Sequence, residues 1–330
     1  GSGLVGSEMC IRDRYIYGFS ATKEKICEEY LFHYPKGSKA QVFKRTGQEF
    51  SFIQNKAFKQ LISKAVAENQ LYFSVANTMN ESVCTEAMKF FTESIVFSRE
   101  FEDIPGQIRF NYNNNNVLKS MKQYAQRADV GIIDMKFDMK NTEIDVDDTI
   151  PENAPPELSR ALKSFVSALS DNSQAKIQRN EIKARTYHTG VNKKGELGQY
   201  ELSLEDESDG THRLMALAPA IDRVIDNGGI FVADELEKGL HPLLTEYIVN
   251  KFQNSEINKN HAQLIFTTHD TEIMRQHFLD ADQFYFVDKD RQTGESELYS
   301  VDGLGKKSNA DIRTGYLIGK FGGIPELGDE

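Results

Sequence analysis

The stretch GGIFVADELEKGLHPLL, from Gly228 to Leu244, constrains the fold of this chain more than any other segment. Its run Ile230–Ala233 is apolar without alternation, the mark of a parallel strand covered on both faces. The run stops at two adjacent carboxylates, Asp234 and Glu235, and a Gly-Leu-His-Pro turn leads into a helical pattern. Ligands of open α/β sheets bind beyond the carboxyl ends of the strands, so acids there are candidate metal ligands or general bases. A solvated strand-to-helix cap explains the same doublet, and the doublet alone does not separate the two readings.

The neighbouring segments continue the alternation. THRLMALAPAIDRVIDNGG reads as an amphipathic helix closed by Gly228 and Gly229. HPLLTEYIVNKFQNSEI reads as a second helix, AQLIFTTH as another buried strand, TEIMRQHFLD as a helix, and DQFYFVDKD with ESELYSV as a final pair of strands. This order predicts a doubly wound, mostly parallel sheet. TTHD sets His269 at the same sheet edge, where an imidazole can meet a phosphate or orient a water; a solvated histidine is the plainer alternative. ESDGTHRL puts Ser208, Asp209 and Gly210 at a helix start. That is either an anion cradle of hydroxyl and backbone N–H groups or a plain N-cap by Ser208 or Asp209.

Upstream, Tyr15 to Phe52 reads as an antiparallel meander punctuated by PKGS and RTGQE. Phe58, Leu61, Ile62, Ala65 and Val66 recur at helical spacing within Asn55 to Gln70; LYFSVA follows as a buried strand and Glu81 to Phe97 as a helix. NYNNNN reads as a surface loop, Val117 to Ala128 as a helix, VGIIDMKFDM as a strand. IDVDDTIPENAPPE is an acidic connector, its DVDD a solvated loop rather than a metal cluster. Helix Leu158 to Leu169 and a hairpin from KARTYHT through a long loop to QYELSLED complete the pattern. The expected organisation is a first lobe over residues 14–110, an inserted α+β arm or lid over 111–199, and a second lobe over 200–330. Residues 1–13 read as non-native: Leu4 to Asp13 reverse-translate, in frame, into a transposase-type sequencing adapter, and the strand pattern is under way at Arg14.

Composition narrows the class. In 330 residues there is no apolar run near the roughly 20 needed to cross a bilayer. The three cysteines, Cys10, Cys27 and Cys84, have neither disulfide nor zinc spacing, which points to a reducing cytoplasm. A net charge of −11 gives no support to nucleic-acid binding.

Taken in order, serine-glycine turn, acid doublet, His-Pro turn and strand-end histidine resemble the C-terminal half of an ABC-type ATPase head of the SMC, RecF and OLD-like kind. ESDGTHRLMAL, DELEKGLHPLL, INKNHAQLIFTTHDT, GYLIGKFGGIP and YIYGFSATKEKICEEYLFHYPKG are similar to bacterial AAA-family ATP-binding proteins of the RloA/AbiLi abortive-infection type. The resemblance implies an ABC-ATPase-like α/β head, with an antiparallel lobe, a mostly parallel sheet flanked by helices, and an inserted arm. It implies ATP and Mg²⁺ as ligands, Asp234 on the metal, and Glu235 and His269 as catalytic residues. Ser208, Asp209 and Gly210 would form a signature loop and Gly239 to His241 a D-loop, contacting nucleotide across a head-to-tail homodimer. His241 stands where transporter-type heads carry Asp. A Toprim-like RloB partner and an anti-phage role follow from family association. Two other readings remain: a RecF/OLD-like DNA-repair or nuclease-associated ATPase, and a non-catalytic regulatory module. No G-x-x-x-x-G-K-[ST] occurs in the sequence. The expectation is therefore that the Walker A strand and P-loop are missing by truncation and that this chain is inactive alone.

Overall fold

The computed structural model describes residues 13–35, 37–101, 103–129, 131–145, 157–161, 164, 176–290, 292–301 and 309–324. Its fold is mixed α/β with several separate sheets. The described residues divide into two units, the first comprising those within 13–96, 227–230 and 259–263, the second the others. Among the described residues no helix is long and apolar enough to cross a membrane.

The first unit begins with the expected meander. Strands β1 (Asp13–Ala21), β2 (Ile26–Pro35), β3 (Ala40–Thr46) and β4 (Glu49–Ser51) pair antiparallel in that order. Alternation places Leu31 opposite Phe43, both fully buried, on the face that packs against the helices. Helices α1 (Lys56–Ser63), α2 (Tyr72–Thr78) and α3 (Ser82–Lys89) cover that face.

Three expectations fail here. LYFSVA is helix α2, not a strand, because the Glu29 carboxylate on β2 accepts the N–H groups of Tyr72 and Phe73 at 2.8 and 2.9 Å and so caps a helix start. Helix α1 stops at Ser63 and turns its face: Leu61 is exposed while Lys59 is buried, its ammonium donating to the Val42 carbonyl at 3.1 Å and lying 3.7 Å from Glu81. The helix expected over Glu81 to Phe97 is α3 followed by a π-helical turn, Phe90–Ser94, and strand β5 (Ile95–Phe97).

The second unit opens with α4 (Ile104–Asn111) and α5 (Asn115–Ala128). The expected asparagine loop shrinks to a turn between them, because the Asn114 side chain caps α5. Strands β6 (Ile132–Asp145), β7 (Lys176–Val191) and β8 (Leu197–Ser203) form an antiparallel sheet. The loop joining β7 to β8 is shorter than expected and closes on Gly195 at φ 81°. Residues 158–161 and 164 of the expected helix are helical; the rest of that helix and most of the acidic connector lie outside the described residues. The apolar core joins Ile108, Met121, Met135, Ala184, Leu204 and Met215.

Helix α6 (Asp209–Asn227), strand β9 (Ile230–Ala233), helix α7 (Pro242–Gln253), strand β10 (Gln263–Phe266), hairpin β11 (Tyr285–Lys289) with β12 (Ser296–Ser300), and helix α8 (Asn309–Leu317) follow. Gly228 ends α6 at φ 72°, and a Cβ there would stand 2.4 Å from the Asn260 carbonyl oxygen, so the turn requires glycine. The expected single doubly wound sheet is not what forms among the described residues: β11 and β12 make their own antiparallel pair. Nor is β10 buried. It is a sheet edge with Ile265 half exposed. TEIMRQHFLD yields only the 3₁₀ turn Thr271–Arg275, whose first turn is capped by Asp270.

Candidate functional site

β9 and β10 run parallel. The Gln263 N–H donates to Gly229 O at 2.8 Å and the Thr267 N–H to Ala233 O at 3.0 Å, a constant offset that only co-directional strands keep. Their carboxyl ends therefore coincide, with Asp234 and Glu235 ending one and His269 just beyond the other.

Short hydrogen bonds knit these ends together. Thr267 Oγ1 donates to Asp234 Oδ1 at 2.6 Å and accepts the Glu235 N–H at 2.8 Å, while the Leu236 N–H reaches Thr267 O at 3.1 Å. Buried Leu236 anchors the turn. To place Leu236 inward and its own carboxylate outward, Glu235 adopts φ 48°, a left-handed conformation uncommon for a side chain of this size. Its Oε1 lies 3.7 Å from His269 Nε2, with Glu235 47% and His269 86% exposed. Contact at that distance and exposure holds neither group tightly, and both remain accessible to a ligand.

Glu237 is the residue that sequence reasoning missed. Its Oε1 accepts the His269 N–H at 2.7 Å, fixing the backbone of the second strand end against the first, and its Oε2 is buried with no hydrogen-bond partner among the described residues. Thr267 is a second residue of the site that no sequence pattern marks. The only sequence signals were a third acid in DELE and the double threonine of TTHD, neither of which names its partner 32 or 33 residues away.

The helix-start residues form a second group. Ser208 is the N-cap of α6: its Oγ accepts the Thr211 N–H at 3.1 Å and exchanges a hydrogen bond with Thr211 Oγ1 at 3.0 Å. Asp209 occupies the first turn, where the helix dipole favours an anion. A Cβ on Gly210 would stand 3.0 Å from the Gly239 carbonyl oxygen, so this turn packs directly on the Gly-Leu-His-Pro turn. His241 caps α7, its Nδ1 accepting the Leu243 N–H at 3.2 Å. The structure brings Asp234, Glu235 and His269 together and Gly210 onto Gly239. It gives Ser208, Asp209 and His241 no hydrogen bond to the first three among the described residues.

Among the described residues no cluster of three or more His, Cys, Asp or Glu side chains could hold a metal by itself. A polar cleft of about 350 Å³ between α5, α6 and α7 is a different feature, lined by Arg127, Asp222, Tyr247 and Lys251 among others. There Asp222 accepts from Tyr124 at 2.7 Å, Lys251 at 2.7 Å and Ser120 at 2.5 Å. Burial, then the Asp222 charge, pushes the Tyr124 phenol far above its ordinary range. This saturated network braces three helices.

A family model described as "AAA domain, putative AbiEii toxin, Type IV TA system" matches residues 12–275. No curated protein matches the sequence. Among solved structures, the recombination mediator protein RecF with ATP, of the RecFOR pathway, is similar at 12% identity and a TM-score of 0.22, over 78% of this chain and 74% of that one.

Proposed function

This chain belongs to the AAA domain family, and on that premise we propose that it handles magnesium ATP at the β9–β10 edge, with Asp234, Glu235 and His269 meeting the triphosphate. One observation carries the reading: parallel pairing delivers the acid doublet and the histidine to the same edge. The donors fit a hard cation. Magnesium takes one or two protein carboxylates and leaves its other positions to water and phosphate, so a ready-made cage is not required. Asp234 offers an exposed carboxylate already oriented by the Thr267 hydroxyl.

When bound there, magnesium would supply neutralisation of the phosphate oxygens. The chain does the rest. Asp234 would anchor the ion, and Glu235, turned outward by its left-handed backbone, would accept the proton of the attacking water. His269 stands beside Glu235 to hold that water or the terminal phosphate, its backbone fixed by Glu237. Ser208, Asp209, Gly210 and His241 are assigned to the nucleotide held by a second copy, in a head-to-tail homodimer. A cytoplasmic anti-phage role with a Toprim-like partner is the cellular setting we propose, resting on the resemblance to the RloA/AbiLi type and on the toxin–antitoxin wording of the family description.

Manganese, a paramagnetic stand-in for magnesium, tests the site. Relaxation enhancement by manganese-ATP should show Asp234→Asn weakening binding by roughly tenfold or more. Equal binding by both chains would remove the reading. Because the sequence has no G-x-x-x-x-G-K-[ST], turnover by the 330-residue chain alone is expected at background. Hydrolysis by it that Glu235→Gln abolishes would overturn that expectation.

A further inference from the structure

The residue before the signature-like turn, Glu207, is buried with a side-chain exposure of 3%. Its Oε1 is 2.7 Å from His188 Nε2 and accepts the Thr186 hydroxyl. His188 and Thr186 alternate onto one face of β7 with Ala184, and all three are buried. His188 stacks on Tyr200 of β8 with centroids 5.8 Å apart, and a Cβ on Gly131 would meet its Nδ1 at 3.2 Å, so the ring is enclosed. A second tie lies on the far side of the turn: the His212 ring, one turn into α6, meets the Leu204 carbonyl at 2.5 Å.

A charge this deeply buried is tolerated only where partners satisfy it. A plain connection between a strand and a helix needs no such group. The pair instead joins the base of the β6–β7 ladder, whose 14-residue β6 extends about 45 Å, to the residue that precedes the Ser208 cap.

We infer that Glu207 is a positioning residue: held by His188 and Thr186, it sets the Ser208–Gly210 turn from the paired strands β6 and β7, so that displacement of those strands is delivered to the nucleotide-facing turn. The functional consequence rests on the reading proposed above for that turn; the mechanical link does not.

Hydrogen exchange of the 330-residue chain tests the link. The reporters are the Thr211 and His212 amides, bonded to Ser208 Oγ and Ser208 O. His188→Phe keeps the stack on Tyr200 and removes the donor. It should speed exchange at both amides by roughly tenfold, the ratio carried by one lost hydrogen bond to a charged group. His188→Gln restores a donor and should bring the rates back toward wild type. Amides of α7 serve as the control and should not change. Unchanged rates in His188→Phe, or acceleration spread equally over α6 and α7, overturn the link. If His188→Phe does not fold, Thr186→Val and Glu207→Gln carry the same comparison. No nucleotide is used, so failure here leaves the manganese-ATP test standing, and failure there leaves this one.

Discussion

Thr267 holds Asp234 in place: its hydroxyl donates to Asp234 Oδ1 at 2.6 Å while the same oxygen accepts the Glu235 N–H at 2.8 Å. One side chain on β10 thus orients both members of the acid doublet that ends β9. Thr267→Val, nearly isosteric, removes both bonds and should cost about 1–2 kcal/mol of unfolding free energy, less where water substitutes. Thr267→Ser should keep most of it. Urea unfolding of the three chains measures the difference, and a valine variant as stable as the serine variant would show the bonds to be incidental.

Glu235 carries backbone strain at φ 48°. Glycine tolerates that conformation and alanine does not, so Glu235→Gly should be more stable than Glu235→Ala by about 1 kcal/mol. Both lose the carboxylate. Parallel melts of the two variants read the strain directly, and equal stability would mean that the turn relaxes in the variants.

Glu29 is a heavily used buried acid among the described residues of the first unit. It lies 3.5 Å from Arg45, both fully buried, caps α2 through two N–H groups, and accepts the Tyr17 hydroxyl at 3.2 Å. Glu29→Ala removes the counter-charge of buried Arg45, leaving it only backbone carbonyl acceptors, and should cost about 3–5 kcal/mol. Glu29→Gln, which keeps acceptor oxygen, should cost less. Denaturant titration ranks the two.

The described cysteines should differ in reactivity. Cys84 is buried, and burial, followed by the neighbouring Glu81 charge, pushes its thiol well above the ordinary value. Cys27 is partly exposed on β2. Iodoacetamide at pH 8 should label Cys27 first and leave Cys84 unmodified until the chain unfolds, as peptide mass spectrometry would record. Equal labelling of both in the native chain would contradict the burial of Cys84.

Much of the fold was legible because its signals are local. Alternating aromatic and β-branched residues with Gly47 and the PKGS turn specified the β1–β4 meander, and the apolar stripes specified α5, α6 and α7. At the candidate site, IFVA followed by DE and LIF followed by TTHD gave two strands with chemistry at their ends, and parallel pairing set those ends side by side. What misled was also local. LYFSVA has strand composition, and LIF is apolar enough to suggest a buried strand.

The sequence by itself determined which segments become strands and helices where their own period is strong, and that Asp234, Glu235 and His269 end elements instead of interrupting them. Only the tertiary structure decided that Glu29 turns LYFSVA into a helix, that Glu237 holds His269, and that Glu207 is clasped by His188. The reason is physical: a hydrogen bond to a side chain 19, 32 or 44 residues away leaves no periodic trace in either segment, yet burying a charge or a helix end makes that bond obligatory once the chain is folded.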